Sequence, residues 1–199
     1  MKQLLSLIVI SLGYSSAVSA FVIDFENVPE SEIATEQGPG ACKSDFSLDV
    51  DGFSFVNPGN CSSLIRYLRD GSQTVALYYG EYAGETSTTM TMTKNDGGSF
   101  DLLDLIASIG TQYTSMALGY KDGIQVYSQQ LTVPFSQFYE DQTLNFLDVD
   151  RVEFTSLGST PNPFGIDELN VNVVPIPAAV WLFGSALAGL GWMRRKPAV

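Results

Sequence analysis

Residues 173–193, VVPIPAAVWLFGSALAGLGWM, carry no charged side chain, and Arg194, Arg195 and Lys196 follow at once. A helix crossing about 30 Å of hydrocarbon needs roughly 20 mostly apolar residues, so this run is long enough to leave the folded body for a bilayer. The basic triplet is placed to stop it. Lys and Arg beside a membrane segment stay on the cytoplasmic side, which puts the rest of the chain outside the cytoplasm. Trp181 and Trp192 fall near the two ends of the run, where indole rings favour the water–lipid boundary. Gly184 with Ala188, and Ser185 with Gly189, have small-xxx-small spacing; it suits a second helix packed close, or simply an apolar helix rich in small residues.

The other end has the matching signal. In residues 1–20, Lys2 supplies a positive start, residues 4–12 an apolar centre, and Val18 with Ala20 a small-residue cleavage site, which is the layout of a secretory leader. The mature chain is expected to begin at Phe21. The division is therefore 1–20 leader, 21–173 exported body and 174–199 tail, with the body on the periplasmic side of the inner membrane before any processing. About 150 residues remain to fold, enough for one domain with one core.

Pro175 and Pro177 stand one residue apart just before the apolar run, and each biases its own and the preceding residue toward extended backbone. The string VPIPAAVWLFGSALAGLGWMRRK resembles the C-terminal sorting signal called PEP-CTERM, carried by exported proteins of Gram-negative bacteria that make exopolysaccharide. The resemblance covers residues 174–196 and places Val174, Pro175, Ile176 and Pro177 at the recognition motif. Ile176 stands where the family's namesake motif has Glu. The resemblance implies that exosortase, a membrane protease or transpeptidase, is a partner, and that the mature protein sits in the cell envelope or outside the cell with exopolysaccharide or biofilm.

Charge narrows the partners. Four of the ten basic residues and none of the 22 acidic ones lie in the two ends, so the body holds six basic against 22 acidic side chains. A surface this acidic repels phosphate backbones, which excludes nucleic acid as a partner. It suits either divalent-cation binding or plain solubility. The only cysteines, Cys42 and Cys61, lie in the exported body, where oxidation is favoured. They are expected to close a disulfide loop worth roughly 3 kcal/mol in a chain-entropy account, the alternative being two free thiols.

The body reads as β throughout. Short alternating segments recur at 21–26, 52–56, 64–68, 74–79, 88–93, 99–105, 115–120, 124–132, 151–155 and 166–173. Between them stand Asp51-Gly52, Asp70-Gly71, Asn95-Asp96-Gly97-Gly98 and Asp122-Gly123, which supply the positive φ of tight turns. GYKDGIQVY is the clearest hairpin. Residues 102–109 (LLDLIASI) fit a short helix as well as a strand, and residues 30–47 read as a long loop. The pattern predicts an all-β sandwich of jelly-roll type.

In jelly rolls the first and last strands often pair, and here both are acidic: Asp24 and Glu26 near the first, Asp167 in the last. The arrangement resembles carbohydrate-binding modules with structural calcium between those strands. That resemblance implies Asp24, Glu26 and Asp167 as Ca²⁺ ligands, oxygen donors of the type calcium takes; otherwise they end strands and face water. Tyr78, Tyr79 and Tyr82 crowd one turn region and offer rings for stacking on sugar, although alternate aromatics of a strand more often enter the core.

Catalysis has little to stand on. The chain contains no histidine, so a Ser-His-Asp triad, a Cys-His pair and a His-based metal centre are excluded. Neither GxSxG nor GxxxxGK[ST] occurs. A pair of carboxylates acting on a glycoside would need no other residue type, and no spacing singles one out. The expectation is a noncatalytic surface or matrix protein; the alternatives are a carbohydrate-binding module with structural calcium and a carboxylate-dependent glycosidase.

Overall fold

Two Asp-Gly pairs set the local geometry. In the computed structural model Asp51 and Gly52 have φ of 50° and 82°, and Asp122 and Gly123 of 51° and 78°. Two consecutive positive values define the tight hairpin turn whose twist matches the flanking strands. Val50 therefore pairs with Phe53, and Lys121 with Ile124. The structure describes residues 19–29, 31, 33–34, 45–58, 62–69, 72–79, 87–109, 114–134, 139–157 and 164–173.

These form β1 (Ser19–Ile23), β2 (Ile33–Ala34), β3 (Phe46–Val50), β4 (Phe53–Asn57), β5 (Ser62–Arg69), β6 (Ser72–Tyr79), β7 (Ser87–Lys94), β8 (Phe100–Ile109), β9 (Thr114–Lys121), β10 (Ile124–Thr132), β11 (Tyr139–Val149), β12 (Arg151–Leu157) and β13 (Phe164–Val173). The first sheet runs β11-β8-β13-β6-β5-β2, with β1 also on β13; the second runs β10-β9-β12-β7-β4-β3. All pairings are antiparallel except β2 on β5. The protein is a two-sheet β-sandwich. After β6, every step along the chain except the β9–β10 hairpin changes sheet, so the two layers are stitched by the chain itself.

Side-chain alternation then builds the core. Phe53 and Phe55 on β4, Met90 and Met92 on β7, and Val152 and Phe154 on β12 point inward and are buried. They meet Phe100 and Leu102 of β8, and Ile166, Leu169 and Val171 of β13. The rings pack edge to face, Phe53 on Phe100 at 5.0 Å and Phe25 on Phe55 at 5.4 Å, the geometry that ring quadrupoles favour. At one corner Asn57 Nδ2 donates to Ser62 Oγ at 2.7 Å, tying β4 in one sheet to β5 in the other. The reverse face of the first sheet is buried too at Ala76, Ile106, Ser108 and Asp167.

Several expectations change here. Residues 102–109 are strand. The short β2 and the first two residues of β3 lie inside the segment read as loop, and β11 was not anticipated. β1 starts at Ser19, so its first two residues come from the predicted leader and pair with Val173 and Asn172. First and last strands do pair, as the jelly-roll pattern implied. The rest of the leader, the tail 174–199, Cys42 and Cys61 lie outside the described residues. Among the described residues no helix is long and apolar enough to cross a membrane.

The open side of the sandwich is closed by packing on a glycine. Tyr127 of β10 stacks on Phe146 of β11 at 4.9 Å and 10°, joining the two sheets directly above Gly119. A Cβ built on Gly119 would stand 3.0 Å from Phe146, 3.1 Å from Tyr127 and 3.1 Å from Val149. Gly119→Ala is therefore expected to destabilise the fold by about 1–3 kcal/mol, the usual cost of overpacking. Urea unfolding should show a lower midpoint at unchanged slope; an unchanged midpoint would mean that the stack gives way freely.

Candidate functional site

Alternation that sends Met90, Met92, Val152 and Phe154 inward sends Thr89, Thr91 and Thr93 of β7 and Arg151, Glu153 and Thr155 of β12 to the outer face of the second sheet, all of them half-buried. Register aligns them in rows. Tyr120 pairs with Arg151, Arg151 with Thr93, and Thr93 with Ser54. One pair of residues further on, Leu118, Glu153, Thr91 and Val56 form the next row. Neighbouring strands lie about 4.8 Å apart, so the result is a broad sheet face of hydroxyls around one tyrosine and one ion pair. The Thr89 and Thr155 hydroxyls are 3.1 Å apart across β7 and β12.

Tyr120, Arg151 and Glu153 act as a unit. The Arg151 guanidinium carbon lies 4.2 Å from the centre of the Tyr120 ring, within cation–π range. Its Nε is 3.3 Å from Glu153 Oε1. Burial, followed by the hydrogen bond to Glu153 and that residue's charge, raises the Tyr120 phenol above its ordinary pKa. An aromatic ring, a guanidinium, a carboxylate and a field of hydroxyls can together stack on, donate to and accept from a polyhydroxylated ligand.

The rim beside Tyr120 ties the two sheets electrostatically. Lys121 Nζ is 2.7 Å from Asp148 Oδ1 of β11. The Lys121 hydrogen bond holds the Asp148 carboxyl below its ordinary pKa, and Asp148 in turn raises that of Lys121. Asp101 Oδ1 accepts the Asp148 N–H at 2.8 Å, and Asp150 accepts the N–H of Asp122 in the hairpin turn.

The residues predicted as calcium ligands converge on one seam. Along one side of β13, β6 pairs with residues 164–166 and β1 with residues 169–173, and Asp167 sits at the changeover. Asp24 and Glu26 follow directly after β1. Their oxygens are engaged by backbone: Asp24 Oδ1 accepts Glu26 N–H at 3.1 Å, Glu26 Oε1 accepts Val75 N–H at 2.7 Å, and the fully buried Asp167 accepts Glu168 N–H at 2.8 Å. Among the described residues no three His, Cys, Asp or Glu side chains are grouped to hold a metal ion. Tyr78 and Tyr79 end β6 opposite Gly165 and Phe164, but their side chains, like Tyr82, are outside the described residues. So are the sorting motif Val174, Pro175, Ile176 and Pro177 and the basic residues Arg194, Arg195 and Lys196.

No family model matches the chain, and no curated protein does. Several solved structures align with it. A DUF4465 family protein from Bacteroides caccae aligns with a TM-score of 0.50 at 14% identity, over 77% of this chain and 98% of that one. A family 29 carbohydrate-binding module from Piromyces equi gives 0.47 at 9%, over 79% and 92%. A mutant module of that family complexed with mannohexaose gives 0.46 at 14%, over 78% and 92%. At such identity the DUF4465 protein shows a common sandwich fold.

The Tyr120–Glu153 bond is directly measurable. In Glu153→Gln the Tyr120 pKa is expected to fall back toward the ordinary value of about 10, read by ring NMR signals across a pH titration. Because folding raises this pKa, stability is unaffected below the unfolded value near 10 and declines as pH climbs from there through the folded value; the variant should lose part of that decline. An unmoved Tyr120 titration would remove Glu153 as the cause.

Proposed function

We propose that the chain is an exported, noncatalytic surface or matrix module that holds polysaccharide against the outer face of its second sheet. The observation that carries this reading is the juxtaposition of Tyr120, Arg151 and Glu153 on a hydroxyl-lined β face. A glycan chain offers CH faces to an aromatic ring and paired hydroxyls to a carboxylate and a guanidinium, so each member has a complementary group.

The route to the surface is read from the sequence. The leader delivers the body across the inner membrane, and the PEP-CTERM-like tail hands it to exosortase, which leaves it in the envelope or among exopolysaccharide. In the seam of Asp24, Glu26 and Asp167 one oxygen of each carboxylate accepts a backbone N–H, and any calcium there would be held by the remaining oxygen lone pairs. Calcium is accordingly a structural addition to the proposal and not its basis.

Two experiments test the two halves. Affinity electrophoresis through the host's exopolysaccharide, with a glycan array beside it, should retard the protein, and Tyr120→Ala should weaken the interaction about tenfold, as loss of a stacking anchor of 1–3 kcal/mol does. Retardation equal in the variant and the parent would move the site elsewhere, and no binding to any glycan would end this reading. Intact mass from host strains with and without exosortase should end near residues 174–177 only when the enzyme is present; a chain running to Val199 in both would remove the sorting account.

A further inference from the structure

Ladder register extends the first row of the second sheet to both of its edges. Asp49 of β3 pairs with Ser54, Ser54 with Thr93, Thr93 with Arg151, Arg151 with Tyr120, and Tyr120 with Gln125 of β10. All six side chains stand on the outer face, exposed or half-buried. One polar row thus crosses the whole sheet, from β3 to β10. With neighbouring strands about 4.8 Å apart, its five steps span about 24 Å. An extended pyranose chain advances at each sugar by nearly one strand spacing, so a chain laid across the strands meets a hydrogen-bonding side chain at every step.

Charge sets what kind of chain can lie there. Among the described residues Arg151 is the one basic residue on this face, and it is committed: its guanidinium covers the Tyr120 ring and its Nε faces Glu153 Oε1 at 3.3 Å. Lys94 and Lys121, each next in sequence to a residue of the row, are held by Asp96 at 2.6 Å and by Asp148 at 2.7 Å. The turns bordering the row add Asp51, Asp122 and Asp150. With Asp49 and Glu153 on the face itself, seven carboxylates stand against these three cations. A uronate, sulfate or phosphate on the chain would come in beside Glu153 with no unpaired cation among the described residues to receive it. An ammonium group would be set against Arg151.

We propose that this face takes an uncharged, linear polysaccharide laid across the strands along the row from Asp49 to Gln125, and turns away polymers that carry carboxylate, sulfate or phosphate. The inference rests on the reading of the face as a glycan site and names the class of glycan. Along the row, Gln125, Thr93 and Ser54 both donate to and accept from sugar hydroxyls without adding charge, and Asp49 accepts at the far end. Rejection acts before contact. The excess of carboxylates around the row repels a polyanion over about a Debye length, roughly 8–10 Å near physiological salt.

The test is affinity electrophoresis of the full chain recovered from the host envelope, through a galactomannan, a mixed-linkage β-glucan and a pullulan. Each is run beside a portion oxidised at C6, so that primary alcohols become carboxylates on the same backbone. A neutral polymer should retard the protein, and its oxidised portion should bind about tenfold more weakly at low salt, a gap that closes as salt screens the charges. Oligosaccharides of the bound polymer should gain affinity up to about five sugars, the extent of the row. Asp51→Asn combined with Asp122→Asn keeps the Asx-Gly turns. It should recover about threefold toward the oxidised portion and leave neutral binding unchanged. An oxidised polymer bound as tightly as its parent, with or without added calcium, would overturn the proposal while leaving the face a glycan site. So would a gap indifferent to salt and to the Asn variants, affinity already complete with one sugar, or retardation by the host's exopolysaccharide that is lost on reducing its carboxyls. Binding of a partly deacetylated chitosan that exceeds the neutral polymers and falls in Tyr120→Ala would replace the class with cationic glycans. No retardation by any polymer would end the glycan reading itself, and this inference with it.

Discussion

The structure depends on how β13 shares its edges. One side pairs along its length with β8, while the other is divided between β6 at residues 164–166 and β1 at residues 169–173. The division is possible because the strand bulges at the changeover, where Glu168 adopts φ 45° and Asp167 bonds to its N–H. A β6 that has left β13 would strand the Val75 N–H inside the protein, at a cost of about 1–3 kcal/mol for an unmet buried donor. Glu26 accepts it instead. The acidic residues at the two ends of the domain thus have a structural task, which is to replace ladder bonds where three strands meet.

Local chemistry was legible in the sequence and non-local chemistry was not. Asp51-Gly52 and Asp122-Gly123 announce their hairpins because the turn needs two positive φ values and little else fits. β11 is the opposite case. Its inward residues are Leu144, Phe146 and Val149, spaced by two and then three, because Asn145 and Asp148 take positive φ and each inserts a residue. A period-2 search breaks at the second insertion, between Phe146 and Val149. The same cause makes residues 102–109 ambiguous: the register on β8 shifts near Leu103, so Leu102 and Leu105 both reach the core at helical spacing, while burial of Ile106 and Ser108 on the reverse face erases the polar alternation a strand would otherwise show.

The face around Tyr120 illustrates the same limit. The alternation TMTMT at residues 89–93 identifies a strand with methionines on one side and threonines on the other. Nothing local places Tyr120 beside Arg151, which is 31 positions away in the sequence; β9 reaches β12 only after the chain has run through β10 and across the other sheet as β11. The tyrosines that cluster in sequence, Tyr78, Tyr79 and Tyr82, were the conspicuous candidates because proximity along a chain is visible and proximity across a sheet is not.

Charge distribution connects these levels. A body with 22 acidic and six basic residues would repel its own parts if the carboxylates were spread evenly. They are instead used in place: Asp148 on Lys121, Glu153 on Arg151, Asp96 on Lys94 at 2.6 Å, and Asp24, Glu26, Asp101, Asp150 and Asp167 on backbone N–H groups. Such bonds are stronger than neutral ones and take up part of each negative charge. The acidity therefore gathers at turns, bulges and seams, where backbone donors would otherwise lack partners, and it is sparse on the threonine-lined face and absent from the β10 strand. The same allocation that completes the hydrogen bonding of an irregular sandwich leaves the threonine-lined face with few carboxylates.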